Sequence, residues 1–219
     1  MTTDTAHAYW NDQWANADAT SIWARPEPEV MAHAQGLPAD ARILDLGAGL
    51  GRHALALAQM GFDVAAIDAA PDSLAAIQGA ANTAGLTLDL HQSKMTALPF
   101  ADASFDHILS WNVIYHGDES IVAQSFSEVE RVLKPGGTFM ATMLSARRLP
   151  VELAKAKGTE ISRNTWVFDG PGDKVHPHYF CSAPQLVSLL GGFELLSLVD
   201  RVHDTPGSWH WHLLAERLA

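Results

Sequence analysis

The sequence predicts an α/β fold: a seven-stranded, mostly parallel sheet with helices on both faces and an antiparallel last strand. Three observations carry that expectation. Apolar runs of strand length alternate with stretches of helical composition over residues 41–144. Gly and Pro mark the changeovers, at Gly61, Gly85 and Pro135-Gly136-Gly137. Two apolar runs near the C-terminus, 193–201 and 209–216, are joined by a short connection through Pro206-Gly207, as antiparallel neighbours are.

The elements follow in order. Residues 41–46 read as a strand that runs into Gly47-Ala48-Gly49-Leu50-Gly51. Residues 52–60 are helical in composition, and Gly61 stands where a left-handed C-cap belongs. Residues 63–67 form the next strand. Residues 71–84 form a helix opened by Pro71 and closed by Gly85. A weakly marked strand at 87–91 precedes a clear one at 105–111, a helix at 119–133 and a strand at 138–144. The segment 145–177 carries Gly158, Gly170, Pro171 and Gly172 without a clean period, which predicts a lid, a binding loop or a disordered segment. A helix at 183–190 leads to the two final strands. The length predicts one domain over 1–219, with residues 1–36 as an N-terminal helical cap and 145–180 as a variable, substrate-side segment.

Charge narrows the partners. The 219 residues include 25 acidic and 14 basic side chains, a formal charge of −11. Such a surface repels phosphate backbones and anionic lipid, so neither nucleic acid nor membrane is expected and a small-molecule substrate is. The single cysteine, Cys181, excludes an internal disulfide and a Cys-rich zinc cluster. The N-terminal residues lack the basic and apolar regions of a signal peptide, and no run approaches the ~18 apolar residues of a membrane span, so a cytoplasmic location is expected. The oligomeric state stays open.

The glycine-rich turn is the strongest chemical signal. It follows a strand, opens a helix, and precedes by 21 residues (counted from Gly47) an acid, Asp68, at the end of the next strand. Glycine lets backbone approach a nucleotide closely, and a carboxylate so placed accepts hydrogen bonds from both ribose hydroxyls. A dinucleotide site has a third glycine where this chain has Arg52. Asp45 would also repel a pyrophosphate, but it suits a ligand bearing an ammonium or sulfonium.

Asp45-x-Gly47-x-Gly49-x-Gly51 with Asp68, the stretch Leu98-Pro99-Phe100 to Phe105-Asp106, and Arg131-Val132-Leu133-Lys134-Pro135-Gly136-Gly137 resemble the class I S-adenosylmethionine-dependent methyltransferases. The run from Gly51-Arg52-His53 to Ile67-Asp68 is similar to the small bacterial branch that includes tellurite-resistance methyltransferases. The resemblance covers roughly residues 40–144. It implies a Rossmann-like fold, S-adenosylmethionine as cofactor with S-adenosylhomocysteine as product, and methyl transfer to a small molecule by in-line displacement. By it, Gly47, Ala48 and Gly49 lie along the methionine and ribose, and Asp68 and Ala69 flank the ribose. Ser93 and Met95 meet adenine, and Trp111 flanks the methionine end. The family often has an Asp at the position of Lys94, which offers donors only. The resemblance also implies that the N-terminal aromatics Tyr9, Trp10 and Trp14 cap the cofactor, with Arg25 pairing with its carboxylate; packing of these rings on the sheet is the alternative.

Acceptor chemistry is expected where loops gather at the carboxyl ends of the strands. Asn112, Tyr115 and His116 follow the fourth strand, and His116 is the candidate general base because an imidazole titrates near neutrality. His178 and His210 are further substrate-side candidates. His210 and His212 share one face of their strand and Trp209 and Trp211 the other. With His176, His178 and Cys181 they make a metal conceivable, but none is assigned. The competing readings are an NAD(P)-dependent oxidoreductase and a non-catalytic sensor of S-adenosylmethionine or S-adenosylhomocysteine with a His-rich metal site.

Overall fold

The computed structural model describes residues 3–16, 22–203 and 205–219; residues 1–2 and 17–21 of the expected N-terminal cap lie outside them. Two helices, α1 (Ala6–Asn16) and α2 (Pro28–Ala34), precede β1 (Arg42–Leu46), α3 (Arg52–Gln59), β2 (Asp63–Asp68), α4 (Pro71–Ala84) and β3 (Asp89–Gln92). Then come β4 (Phe105–Ser110), α5 (Glu119–Val132) and β5 (Leu133–Ser145). Local chemistry sets these boundaries. Pro71 opens α4, and Gly85 closes it with φ 67°. Asp118 caps α5, its carboxylate accepting from the N–H groups of Ser120 and Ile121 at 3.0 Å.

Strands β3, β2, β1, β4 and β5 lie side by side in that order, all parallel. Chain order reverses between β1 and β4, which opens a crevice at their carboxyl ends. On the far side of β5, β10 (Trp209–Arg217) pairs antiparallel, and β9 (Phe193–Val202) pairs antiparallel with β10. These seven strands match the sequence expectation. The buried rings of Phe105, Phe126 and Phe139 fill the core between this part of the sheet and α5.

The segment 145–177 departs from expectation. It is regular structure: α6 (Leu149–Leu153), then a hairpin of β6 (Gly158–Ser162) and β7 (Thr165–Phe168) that turns through Asn164 at φ 57°. After it, β8 (His178–Cys181) pairs with β7 and with the end of β5, and α7 (Ala183–Ser188) follows. β5 outruns β4, whose last pairing is Ser110 with Ala141, and β8 takes the freed edge at Leu144 and Ser145. The sheet thus has ten strands. β6 is exposed along most of its length, so it lacks the in–out alternation by which a strand announces itself.

β10 also inverts the usual sense of burial. Its histidines face inward, His210 and His212 being buried, whereas Trp209 and Trp211 are half-buried. The tryptophans are held from outside: Trp211 Nε1 donates to the Cys181 carbonyl at 2.9 Å, and the Arg147 guanidinium lies 3.5 Å over the Trp209 ring.

Candidate active site

The glycine turn is fixed by backbone hydrogen bonds to the next strand. The N–H groups of Gly47 and Ala48 both donate to the Ile67 carbonyl at 2.9 Å. Gly47 has φ 76°, and a Cβ there would stand 2.4 Å from a Val113 methyl. Gly51 has φ 77°, and its Cβ would stand 2.7 Å from Ile77. Both positions exclude a side chain on two grounds, conformation and space. Asp68 closes the turn: one carboxylate oxygen accepts from Gly49 N–H and the other from Ala70 N–H, each at 2.9 Å. Burial raises its pKa, and those N–H groups oppose the rise.

A cavity opens above this turn, at the reversal between β1 and β4. Its wall contains Gly47, Ala48, Gly49, Asp68, Ala69, Ser93, Met95, Trp111, Asn112 and His116, all expected site residues. Asn112 is held at φ 63°, its N–H donating to Thr142 Oγ1 at 2.8 Å while that hydroxyl donates to Asn112 Oδ1. Ser93 Oγ donates to the Ala97 carbonyl at 2.6 Å, so toward the cavity the hydroxyl can only accept.

Five expected residues lie outside the wall. Asp45 is buried beneath the turn, where its carboxylate accepts from Ala54 N–H at 3.0 Å. That bond serves the first turn of α3, whose N-cap, Gly51, has no side chain to do so. Burial pushes the Asp45 pKa up to about 7, against the pull of Ala54 N–H and Arg52. Arg25 is exposed and is not part of the wall; its carbonyl accepts from the Arg52 guanidinium at 3.2 Å. Tyr115 is buried behind His116, with ring centroids 4.8 Å apart. His178 sits behind His116 as well, at 4.7 Å. His210 faces Arg148, whose guanidinium lies 3.1 Å from Nε2, and burial lowers its pKa to about 2.

The wall holds further residues, among which the sequence reading gives a role to the indoles of Trp10 and Trp14 and notes Arg52 and Lys94 only as departures from a pattern. Arg52 occupies the place of the missing third glycine; it donates to Glu27 at 2.9 Å and lies 5.5 Å over the Trp23 ring. That substitution was the signal that could have found it. Lys94 pairs with Asp4 at 2.9 Å, fastening the N-terminal segment across the cavity. Trp10 and Trp14 of α1 and Trp23 complete that side, Trp14 lying directly over Gly49.

Behind His116 stands Asp173, in a short 3-10 turn at Asp173–Val175. Its Oδ2 is 3.2 Å from His178 Nε2 and 3.7 Å from His116 Nε2. Burial would raise the Asp173 pKa, but the two imidazoles and Lys174 hold it well below the carboxylate range. Burial lowers that of His178 to about 4.

Comparison with known proteins narrows the family. Residues 43–137 match the family model of a methyltransferase domain. An uncharacterized protein of Mycobacterium tuberculosis is 34% identical over 151 residues, covering 63% of this chain and 53% of that protein. The ubiquinone biosynthesis O-methyltransferase of Cereibacter sphaeroides is 27% identical over 180 residues, 81% of this chain and 70% of that one. The N-methyltransferase NodS of Bradyrhizobium japonicum, solved with S-adenosylhomocysteine, superimposes with a TM-score of 0.72 at 14% identity, covering 98% of this chain and 99% of NodS. Residues 43–137 are thus matched as a methyltransferase domain, and the fold is the one that solved S-adenosylmethionine-dependent methyltransferases have. The chain spans about half the length of the mycobacterial relatives it matches.

The cavity wall suits the family's cofactor. Buried ring nitrogens of Trp10, Trp14, Trp111, His7 and His116 lack hydrogen-bond partners, and all five residues line the cavity. Unsatisfied buried polar groups are rare in folded proteins, and here they gather where a polar nucleoside with an amino-acid arm would meet them. Asp68 supplies the carboxylate, and the indoles supply flat apolar surface. S-adenosylmethionine fits these groups.

Proposed function

We propose that this protein moves the methyl group of S-adenosylmethionine to a small-molecule acceptor held at the His116 end of the cavity. The observation that carries this reading is Asp68: Gly49 and Ala70 orient its carboxylate, which stands in the cavity wall as a ribose acceptor. Gly47, Ala48 and Gly49 would then lie along the methionine and ribose, with Ala69 beside the sugar. Met95 would supply apolar surface to adenine, and Ser93 Oγ would accept from its amino group. Trp111 flanks the methionine end, and Arg52 replaces Arg25 as the cation nearest the carboxylate.

In the reaction the acceptor's lone pair displaces the sulfur, the methyl group moves along that line, and the sulfonium becomes neutral S-adenosylhomocysteine. Such a step asks mainly for alignment and exclusion of water. The enclosing indoles serve both. Where the acceptor is a hydroxyl, its proton leaves to the cluster around His116. The C. sphaeroides relatives, named as O-methyltransferases, favour an oxygen acceptor. The acidic surface argues for a small molecule over nucleic acid.

Calorimetric titration with S-adenosylhomocysteine tests the reading. The wild type binds, and Asp68→Ala weakens binding by about ten- to a hundred-fold, or roughly 1.5–3 kcal/mol, for two lost hydrogen bonds to a charged group. A folded wild type that fails to bind overturns it.

A further inference from the structure

We propose that His116, Asp173 and His178 form a binding site for a divalent transition-metal ion of the zinc, cobalt and iron class. The hydrogen bonds around the two imidazoles lead there. His116 Nδ1 lies 2.7 Å from the Val113 carbonyl, and His178 Nδ1 lies 2.8 Å from the His176 carbonyl. A carbonyl only accepts, so in each ring Nδ1 carries the proton and donates it. In the neutral ring Nε2 is then a bare lone pair. Both Nε2 atoms converge on one carboxylate oxygen, Asp173 Oδ2, at 3.2 and 3.7 Å.

Two ring nitrogens and a carboxylate oxygen facing one another call for a positive centre among them, either a proton on the imidazoles or an ion. The ligand atoms all lie within 4.8 Å of one another. A metal with bonds of about 2.1 Å to tetrahedral ligands separates them by roughly 3.4 Å, so the two measured spacings bracket what an ion needs. Two imidazoles and one carboxylate suit zinc, cobalt and iron(II), and leave at least one coordination position open. The carbonyl-bound Nδ1–H on each ring is the outer-shell support that metal-ligating histidines have.

The scaffold is stiff. His116 and His178 face each other across an antiparallel bridge, and backbone bonds of 2.9 Å flank it, Gly117 N–H to Pro177 O and Tyr179 N–H to Tyr115 O. His178 is 1% exposed and His116 7%, and the Nε2 of His116 is buried with no hydrogen-bond partner. Lys174 lies 3.6 Å from the other oxygen of Asp173, which leaves Oδ2 for the ion. Of the three ligands His116 alone lines the cavity, so the ion would sit behind that wall and would fix the imidazole that faces the acceptor end. That positioning role rests on the proposed methyl transfer; the binding of the ion does not.

Cobalt(II) is the probe. Chelator-treated full-length protein titrated with CoCl2, without cofactor, is expected to develop visible d–d bands that saturate at one equivalent per chain and are abolished by added zinc. Asp173→Asn and His178→Gln are each expected to weaken cobalt binding at least ten-fold. Asp173 is the more exposed of the two, so its variant keeps the test alive should the fully buried His178 prove essential for folding, which far-UV circular dichroism reports. Absence of cobalt binding to folded wild type overturns the proposal, the cluster then sharing a proton instead. Binding that survives in Asp173→Asn also overturns it by placing the ion elsewhere. S-adenosylhomocysteine calorimetry on the same samples reads the cofactor site separately, so either reading can fail alone.

Discussion

The proposed cofactor side of the cavity is built within a short span, Gly47 to Ala70, where Gly47 and Ala48 donate to the Ile67 carbonyl and the N–H groups of Gly49 and Ala70 converge on the Asp68 carboxylate. The proposed acceptor side gathers side chains from distant places: His116 after β4, Asp173 at the start of a 3-10 turn and His178 at the start of β8. The first construction is stiff and leaves no room for substitution. The second depends on three side chains meeting, and it can change without disturbing the first.

The largest effect should come from the backbone side. Gly47→Ala combines a left-handed φ with a Cβ 2.4 Å from Val113, and should lower stability by roughly 2–5 kcal/mol, read from the urea midpoint. A shift under 1 kcal/mol would show that the turn yields more readily than its geometry implies.

Next is the acid beneath the turn. Asp45 has a folded pKa near 7 against an ordinary value of 3.8. Between those values the folded state keeps a proton that the unfolded chain has released, so stability falls as pH rises from about 4 toward 7. One proton gives a slope of up to about 1.4 kcal/mol per pH unit. Asp45→Asn, which keeps the acceptor for Ala54 N–H, should flatten that slope in denaturation series across the window.

The ion pair that fastens the N-terminal segment is worth less. Lys94 is half exposed, and Lys94→Ala should cost about 0.2–1 kcal/mol, shrinking further in high salt. Smallest of all, Asp173→Asn should leave S-adenosylhomocysteine affinity within about two-fold, because its carboxylate stands behind His116 and outside the cavity wall. A ten-fold loss there would break the separation of the two sides.

The same contrast explains what the sequence disclosed. The seven strands, the turn and Asp68 were legible because their signals are local: spacing, Gly and Pro punctuation, and an acid a fixed distance downstream. The hairpin of β6 and β7 was not, because an exposed added strand has no apolar alternation to read. Asp45 carried a misleading signal: an acid before the turn reads as a ligand, yet it caps α3. His210 was read as a substrate-side candidate, but its face of β10 is buried and lies outside the cavity wall. Asp173 had no signal at all, since only the folded chain brings it to two histidines, one 57 residues away and one five.

Trp10 and Trp14 stack at 4.9 Å with their planes 21° apart, and Trp23 meets them edge-on at 5.5 and 6.3 Å. All three line the cavity. Indoles this close share their excited states, so the near-ultraviolet dichroism of the chain carries an exciton signature of the cavity, and its emission responds to whatever enters. The enclosure is its own optical reporter, and occupancy can be followed in real time without a label.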